Sequence, residues 1–321
     1  MSWAALVLTL LLEQARAVPP ANPVYAGVEA WADRVARNYN AGKVRHGVYG
    51  WILVVGVATA LAIAGFQLAR WGGWIPALAV NVAVLFFTLG FRQFSHPITA
   101  IQRALQEGDL AEARRLFLEW RREVDPDFDP TDVDDTEIVR KSMEFGLLAA
   151  HRHVFGVLFW FLVLPGPSGA VLYRLSEFVA RRWNRLPAST DFDLPPDRFG
   201  AFARRAFAWI DWLPARLTAL GFAIVGDFEG AAYCWREASV GGQPAWESDR
   251  VLILAAASGA LGVRVLGGTD SARMSRREGA DSAWLVEPTP QALQSAVGLA
   301  WRAMILWLLL LLLVTVAATV A

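Results

Sequence analysis

Residues 47–69 read GVYGWILVVGVATALAIAGFQLA, without one charged side chain before Arg70. The next stretch, 71–91, reads WGGWIPALAVNVAVLFFTLGF and is again uncharged up to Arg92. A helix needs about 20 apolar residues to cross a hydrocarbon layer of about 30 Å. Both stretches meet that length. They predict a helical hairpin turning at Arg70-Trp71-Gly72-Gly73-Trp74, with the tryptophans at the membrane–water boundary. At the other end of the chain, everything after Arg302 is uncharged and includes the run Leu308 to Leu313. The fold class that follows is an all-α polytopic membrane protein, with about four to six membrane-embedded helices and amphipathic helices on the cytoplasmic side.

Composition agrees. Of 321 residues, 55% are hydrophobic and 19% charged, and the mean hydropathy is +0.35. Soluble domains sit near 45–50% apolar and about 25% charged. The 15 tryptophans suit an interface where an apolar ring and a polar N–H are both satisfied. A formal net charge of zero argues against nucleic acid as a partner, because phosphate backbones demand a basic surplus. The single cysteine, Cys234, allows neither an intramolecular disulfide nor a cysteine zinc cluster. At the N-terminus, residues 6–12 are apolar and Ala15-Arg16-Ala17 resembles a cleavage site, but the basic region of a signal peptide is missing. An uncleaved first helix is expected.

Between the spans the pattern changes. Residues 96–135 place Ile98, Ile101, Leu105, Leu110, Ala113, Leu116, Phe117 and Trp120 at helical spacing, which predicts two amphipathic helices broken at Gly108. Asp109, with Glu112 three residues on, is the expected N-cap of the second. The acidic stretch 125–135 lacks EF-hand spacing and is expected to be a solvated loop. Residues 145–183 predict a hairpin dipping into the membrane, with Pro165-Gly166-Pro167-Ser168-Gly169 at its tip. Residues 199–225 form a second such region, and 251–263 a short one rich in small residues that suits close helix packing. Residues 269–298 are expected to be a polar loop before the last helix. Cations flank the hairpin at 34–45 and 103–141, so the positive-inside bias puts 92–143 in the cytoplasm of a bacterial inner-membrane protein. The chain reads as one membrane domain, 1–321.

No phosphate loop, dinucleotide fingerprint or His-Glu-x-x-His occurs. Glu144 and His151-Arg152-His153 stand out inside an apolar stretch, and ionisable groups at membrane depth are functional candidates. Their functional reading is a pocket for an anionic ligand or a proton-handling site; the competing one is interfacial snorkelling. His151 and His153 point to different sides of a helix, so no metal site is expected. A basic-aromatic group, Tyr173-Arg174, Arg204-Arg205 and Trp209 to Arg216, is the second candidate. Asp211 and Arg216 are expected to pair across the kink at Pro214, and arginine forks can clamp carboxylate or phosphate.

Several pieces, in order, carry a family resemblance: 98–116 (ITAIQRALQEGDLAEARRL), Glu144 with Leu158-Phe159-Trp160, Tyr173-Arg174, 212–217 (WLPARL), and 258–264 (SGALGVR) ending at Gly267-Gly268. The chain resembles the CobD/CbiB family, most closely its AmpE-like branch. Its biosynthetic members join an aminopropanol moiety to adenosylcobyric acid, an amide-forming step that needs ATP and a divalent cation. The AmpE-like members are linked to regulatory signalling. The enzyme-type pattern expects polar residues where this chain has Phe145, Leu148, Ala149, Arg152, Ala180, Phe207 and Ala208, and Ser-Pro-Asn where it has Glu247-Ser248-Asp249. Metal–nucleotide complexes ask for carboxylates, so these departures lead to the expectation of a non-catalytic inner-membrane signalling protein. Its expected partners are the lipid bilayer and a membrane or periplasmic signalling protein, with no cofactor. The alternative is a cobalamin-biosynthesis synthase using ATP and Mg. A transporter is disfavoured because matched interrupted half-repeats are lacking. The ligand-binding candidates are Glu144, His151, His153, Arg174, Asp211, Arg216 and Arg264, and no metal ligand is expected.

Overall fold

A computed structural model describes residues 2–15, 22–124, 135–184, 198–239, 245–267 and 284–320. Residues 125–134 of the acidic stretch and 269–283, the first half of the expected polar loop, lie outside the described residues. Within them the chain is helical, apart from turns and one isolated bridge between Val263 and Val286. Four helices are long and apolar enough to cross a bilayer: Val44–Trp71, Thr136–Val163, Phe199–Val225 and Pro290–Ala317. Large apolar side chains on them point outward, including Leu61, Leu68 and Trp71 on the first and Leu309, Leu313 and Val314 on the last. Exposed apolar stripes of this length are stable only against lipid. The chain is a multi-pass membrane protein.

In chain order the helices are α1 (Ser2–Ala15), α2 (Pro23–Tyr39), α3 (Val44–Trp71), α4 (Trp74–Thr88), α5 (Phe91–Gln106), α6 (Leu110–Val124), α7 (Thr136–Val163), α8 (Ser168–Arg182), α9 (Phe199–Val225), α10 (Phe228–Ser239), α11 (Ala245–Leu261) and α12 (Pro290–Val320). Three differ from expectation. The second uncharged stretch gives a helix of only 15 residues, about 22 Å at 1.5 Å per residue, too short to cross 30 Å unaided. The segment after Glu144 is not a short hairpin limb; it continues one helix begun at Thr136, with a π-helical turn at His151–Phe155. Finally, α12 starts at Pro290, inside the expected loop, because Leu293, Ala296, Leu299, Ala300 and Ala303 form a buried helical stripe.

Local chemistry explains the breaks. Pro23 opens α2 behind Asn22, whose side chain accepts from Tyr25 N–H at 3.0 Å. Gly73, at φ +109°, turns α3 into α4 between two exposed tryptophans. Asp109 accepts from Glu112 N–H at 2.9 Å and starts α6.

The described residues gather into two compact units, residues 1–90 with 152–214 and residues 91–151 with 215–321. In the first, α4 packs on α1, α3 and α8, and α8 packs on the C-terminal part of α7. Its core joins Val35, Val54, Val55, Val179, Trp183 and Phe199. Arg182 of α8 clamps α2 through Asp33 (3.0 and 2.8 Å) and Glu29 (2.8 Å). In the second unit α5 and α6 form a hairpin that buries Ile98, Ile101, Ala113, Phe117 and Trp120, while Leu110 stays exposed. Helices α10 and α11 pack closely. A Cβ added at Gly259 would lie 2.1 Å from the Gly230 carbonyl oxygen, so the backbones touch where no side chain fits.

A candidate site of charged pairs between helices

Within the second unit, three polar contacts link α7, α9 and α11 pairwise. Glu144 of α7 accepts from Arg250 of α11. Asp249, next to it, accepts from Arg216 of α9 at 2.9 Å. Thr218 of α9 lies 2.9 Å, hydroxyl to Nδ1, from His151 of α7. The Asp249 side chain is 7% exposed and that of Arg216 28%, while His151 is buried. Buried charges persist in an apolar bundle only when each meets an opposite charge or a hydrogen-bond partner. The adjacent residues Asp249 and Arg250, of opposite sign, meet that need on two sides of α11 at once.

The expected pair Asp211–Arg216 does not form. Five residues at 100° each put the two about 140° apart around the helix, and Asp211 accepts instead from the hydroxyl of Tyr173 at 2.7 Å in the first unit. There, burial and then the Asp211 carboxylate push the Tyr173 phenol well above its ordinary range. Arg174 reaches Glu177 at 3.4 Å, and Arg181 reaches the same carboxylate at 3.1 Å. Burial alone would raise the Glu177 pKa, but Arg181 and then Arg174 outweigh it and hold it at about 2. His153 also belongs to the first unit, where its carbonyl accepts from Gly90 N–H at 3.3 Å.

Arg264 joins a second charged group in the second unit. Its Nε lies 3.5 Å from Glu287, which Arg140 contacts at 3.1 Å. Arg140 also pairs with Glu137, and Lys141 lies 3.3 Å from Glu137. Thus Glu144, His151, Arg216 and Arg264 belong to the second unit, and His153, Arg174 and Asp211 to the first. Sequence reasoning missed Arg250, Asp249 and Thr218 as their partners, since nothing local marks pairings between distant helices. The Glu137–Arg140 pair did have a signal, its i,i+3 spacing on a helix. Among the described residues no three His, Cys, Asp or Glu side chains gather as a metal centre would need. Two positions that depart from the enzyme-type pattern serve packing: Phe145 lies against Trp120, centroids 4.5 Å apart, and Phe207 against Tyr173 at 5.6 Å.

The profile of the family described as CobD/Cbib protein matches residues 2–300. The chain belongs to the CobD/CbiB family. Cobalamin biosynthesis protein CobD of Chromobacterium violaceum is 33% identical over 307 residues, covering 94% of this chain and 93% of the relative. The protein of the same name in Stutzerimonas stutzeri is 32% identical over 286 residues, 88% and 87% of the two chains. Cobalamin biosynthesis protein CbiB of Salmonella typhimurium is 27% identical over 263 residues, 75% and 73%. No solved structure matches. These CobD/CbiB relatives overturn the expectation of a non-catalytic signalling protein, because their names place them in cobalamin biosynthesis. That expectation weighed polar residues missing at single positions between Phe145 and Asp249, and it gave no weight to pairings between distant segments: Asp249 with Arg216, Arg250 with Glu144 and Glu287 with Arg140.

Proposed function

We propose that this chain is a synthase of the adenosylcobinamide-phosphate type, which joins an aminopropanol moiety to adenosylcobyric acid through an amide, in a bacterial inner membrane. The observation that carries this reading is the match of nearly the whole chain to a relative named for cobalamin biosynthesis. The polar groups on α7, α9 and α11 support it, because a bundle that served only to span lipid has no need of them.

Amide formation from a carboxylic acid requires that the carboxylate oxygen leave on a phosphorus-bearing group taken from ATP, while the amine loses a proton. Magnesium is commonly held by one or two protein carboxylates together with substrate phosphates. Glu137 and Glu287 do not fit that donor set, because Arg140 pairs with both and its positive charge repels a second cation; the ion would be held chiefly by the substrate phosphates. Arg216 and Arg264, with forked donors suited to carboxylate and phosphate, are the candidate anion ligands of the second unit. Glu144 is read as the residue that orients Arg250, and His151 as a positioning residue behind Thr218, since it is too buried to touch a substrate. Arg174, His153 and Asp211 are candidates in the first unit only.

Complementation tests the reading. In a cobalamin auxotroph lacking its own synthase, the gene is expected to restore growth without added cobalamin, and Arg216→Ala to abolish that rescue. Failure of the intact gene, with the protein present in the membrane fraction, refutes it.

A further inference from the structure

Five charged side chains meet at the N-terminal end of α7. Glu137, Arg140 and Lys141 come from its first turns. Arg264 and Glu287 come from two short segments tied together by Arg264 N–H to Val286 O at 2.9 Å and Val286 N–H to Gly262 O at 3.0 Å. Arg140 reaches both carboxylates, Arg264 lies 3.5 Å from Glu287, and Lys141 lies 3.3 Å from Glu137. Among the described residues three cations face two anions. The Nε atoms of Arg140 and Arg264 are both buried and make no hydrogen bond among the described residues, that of Arg264 standing off at 3.5 Å from Glu287. Structural ion-pair networks usually satisfy their buried donors, so among the described residues this group has one positive charge more than its carboxylates, and Arg140 Nε is a donor that none of them takes up.

The backbone beside it is built for close approach. A Cβ at Gly267 would sit 3.0 Å from Arg140 Cδ, and Gly262, at φ +65°, turns the chain toward Arg264. Glu287, whose side chain is 57% exposed, is the carboxylate most easily released to water. We propose that Arg140, Lys141 and Arg264 bind a phosphate group, with Glu287 competing for the same guanidinium donors. Phosphate offers the several acceptor oxygens that two arginine forks and an ammonium ask for. A free phosphate compound and a phospholipid headgroup share this chemistry, and the site lies at the end of a membrane-spanning helix. It stands on its own geometry, so failed complementation leaves it intact, whereas lost phosphate binding with intact complementation rejects this site alone.

The test uses the full chain in nanodiscs of phosphatidylcholine titrated with inorganic pyrophosphate, and in parallel discs containing phosphatidylglycerol without pyrophosphate. The readouts are calorimetric binding and thermal midpoint. Saturable pyrophosphate binding is expected in the first discs. Arg264→Gln should weaken it about tenfold or more, the loss of one or two charge-assisted hydrogen bonds. Glu287→Gln should tighten it, because the internal competitor is gone. Stabilisation by phosphatidylglycerol that Arg264→Gln removes would assign the site to a lipid headgroup and also support it. The proposal is overturned if neither probe binds saturably. It is equally overturned if Arg264→Gln binds like the wild type, or if Glu287→Gln weakens binding, as a purely structural network would require. Should Arg264→Gln fail to fold, Glu287→Gln alone decides.

Discussion

The Asp249–Arg216 pair allows a quantitative test of how α9 and α11 are held together. Breaking a buried ion pair from one side costs about 3–5 kcal/mol, because the remaining charge is stranded. The two sides differ here. Asp249→Ala removes a partner of Arg216, which is over a quarter exposed and can move its head toward polar surroundings, so the expected cost falls to about 2 kcal/mol. Arg216→Ala removes a partner of a carboxylate only 7% exposed, so its cost should lie nearer the full about 3–5 kcal/mol. The double variant removes both charges of the pair. It should be less destabilised than the sum of the singles, with a coupling of about 1–3 kcal/mol. The assay is reversible unfolding in mixed micelles by sodium dodecyl sulfate, followed by circular dichroism. If the double variant costs the sum of the singles to within about 0.5 kcal/mol, the pair does not couple the two helices and the reasoning fails.

Three further outcomes are expected. Gly259→Leu should prevent normal packing of α10 on α11, since even its first carbon meets the Gly230 carbonyl at 2.1 Å. The same unfolding assay should show a loss of at least about 1–3 kcal/mol, against no change for a substitution at Gly298, which has open space around it. Tyr173→Phe removes a donor to the buried Asp211 carboxylate and should cost about 1–3 kcal/mol; an unchanged midpoint would show that this hydrogen bond does not hold the carboxylate. Glu177 titrates in the folded state at about 2, below its ordinary 4.5. The stability this contributes is complete above pH 4.5 and is lost as pH falls toward 2, so Glu177→Gln should flatten the acid limb of a stability–pH curve. A limb of the same steepness in both proteins would reject the assignment.

The fold was legible where lipid dictates the pattern. Uncharged runs such as 47–69 have one stable use in a helical chain, and α3 follows directly from them. The amphipathic pair α5–α6 was equally readable, because Ile98, Ile101, Phe117 and Trp120 repeat at helical spacing and are buried. Lengths were less readable. Hydropathy marks where charge is absent, but helix ends are set by turns: Gly73 and the break at Leu89–Gly90 cut the second stretch to 15 residues. Conversely, α7 runs back through Lys141 and Arg140 to Thr136, because its polar first turns face charged partners in other segments.

The site was half-legible for a related reason. Unusual residues such as Glu144, His151, Arg216 and Arg264 announce themselves in an apolar chain, because each is costly to bury alone. What satisfies them lies far along the sequence: Arg250 is 106 residues from Glu144, and Thr218 is 67 from His151. Pairing guessed from nearness, as for Asp211 with Arg216, fails once the 100° step of the helix is counted. Judging catalytic competence from aligned positions taken one at a time has the same weakness. Charged groups drawn from three helices and two short segments can keep their pairings while single positions such as Phe145 and Phe207 turn to packing. Chemistry should then fail on changing Arg216 or Asp249, while Phe145→Leu, which alters ring contacts with Trp120 and Arg121, should leave growth in the complementation assay intact.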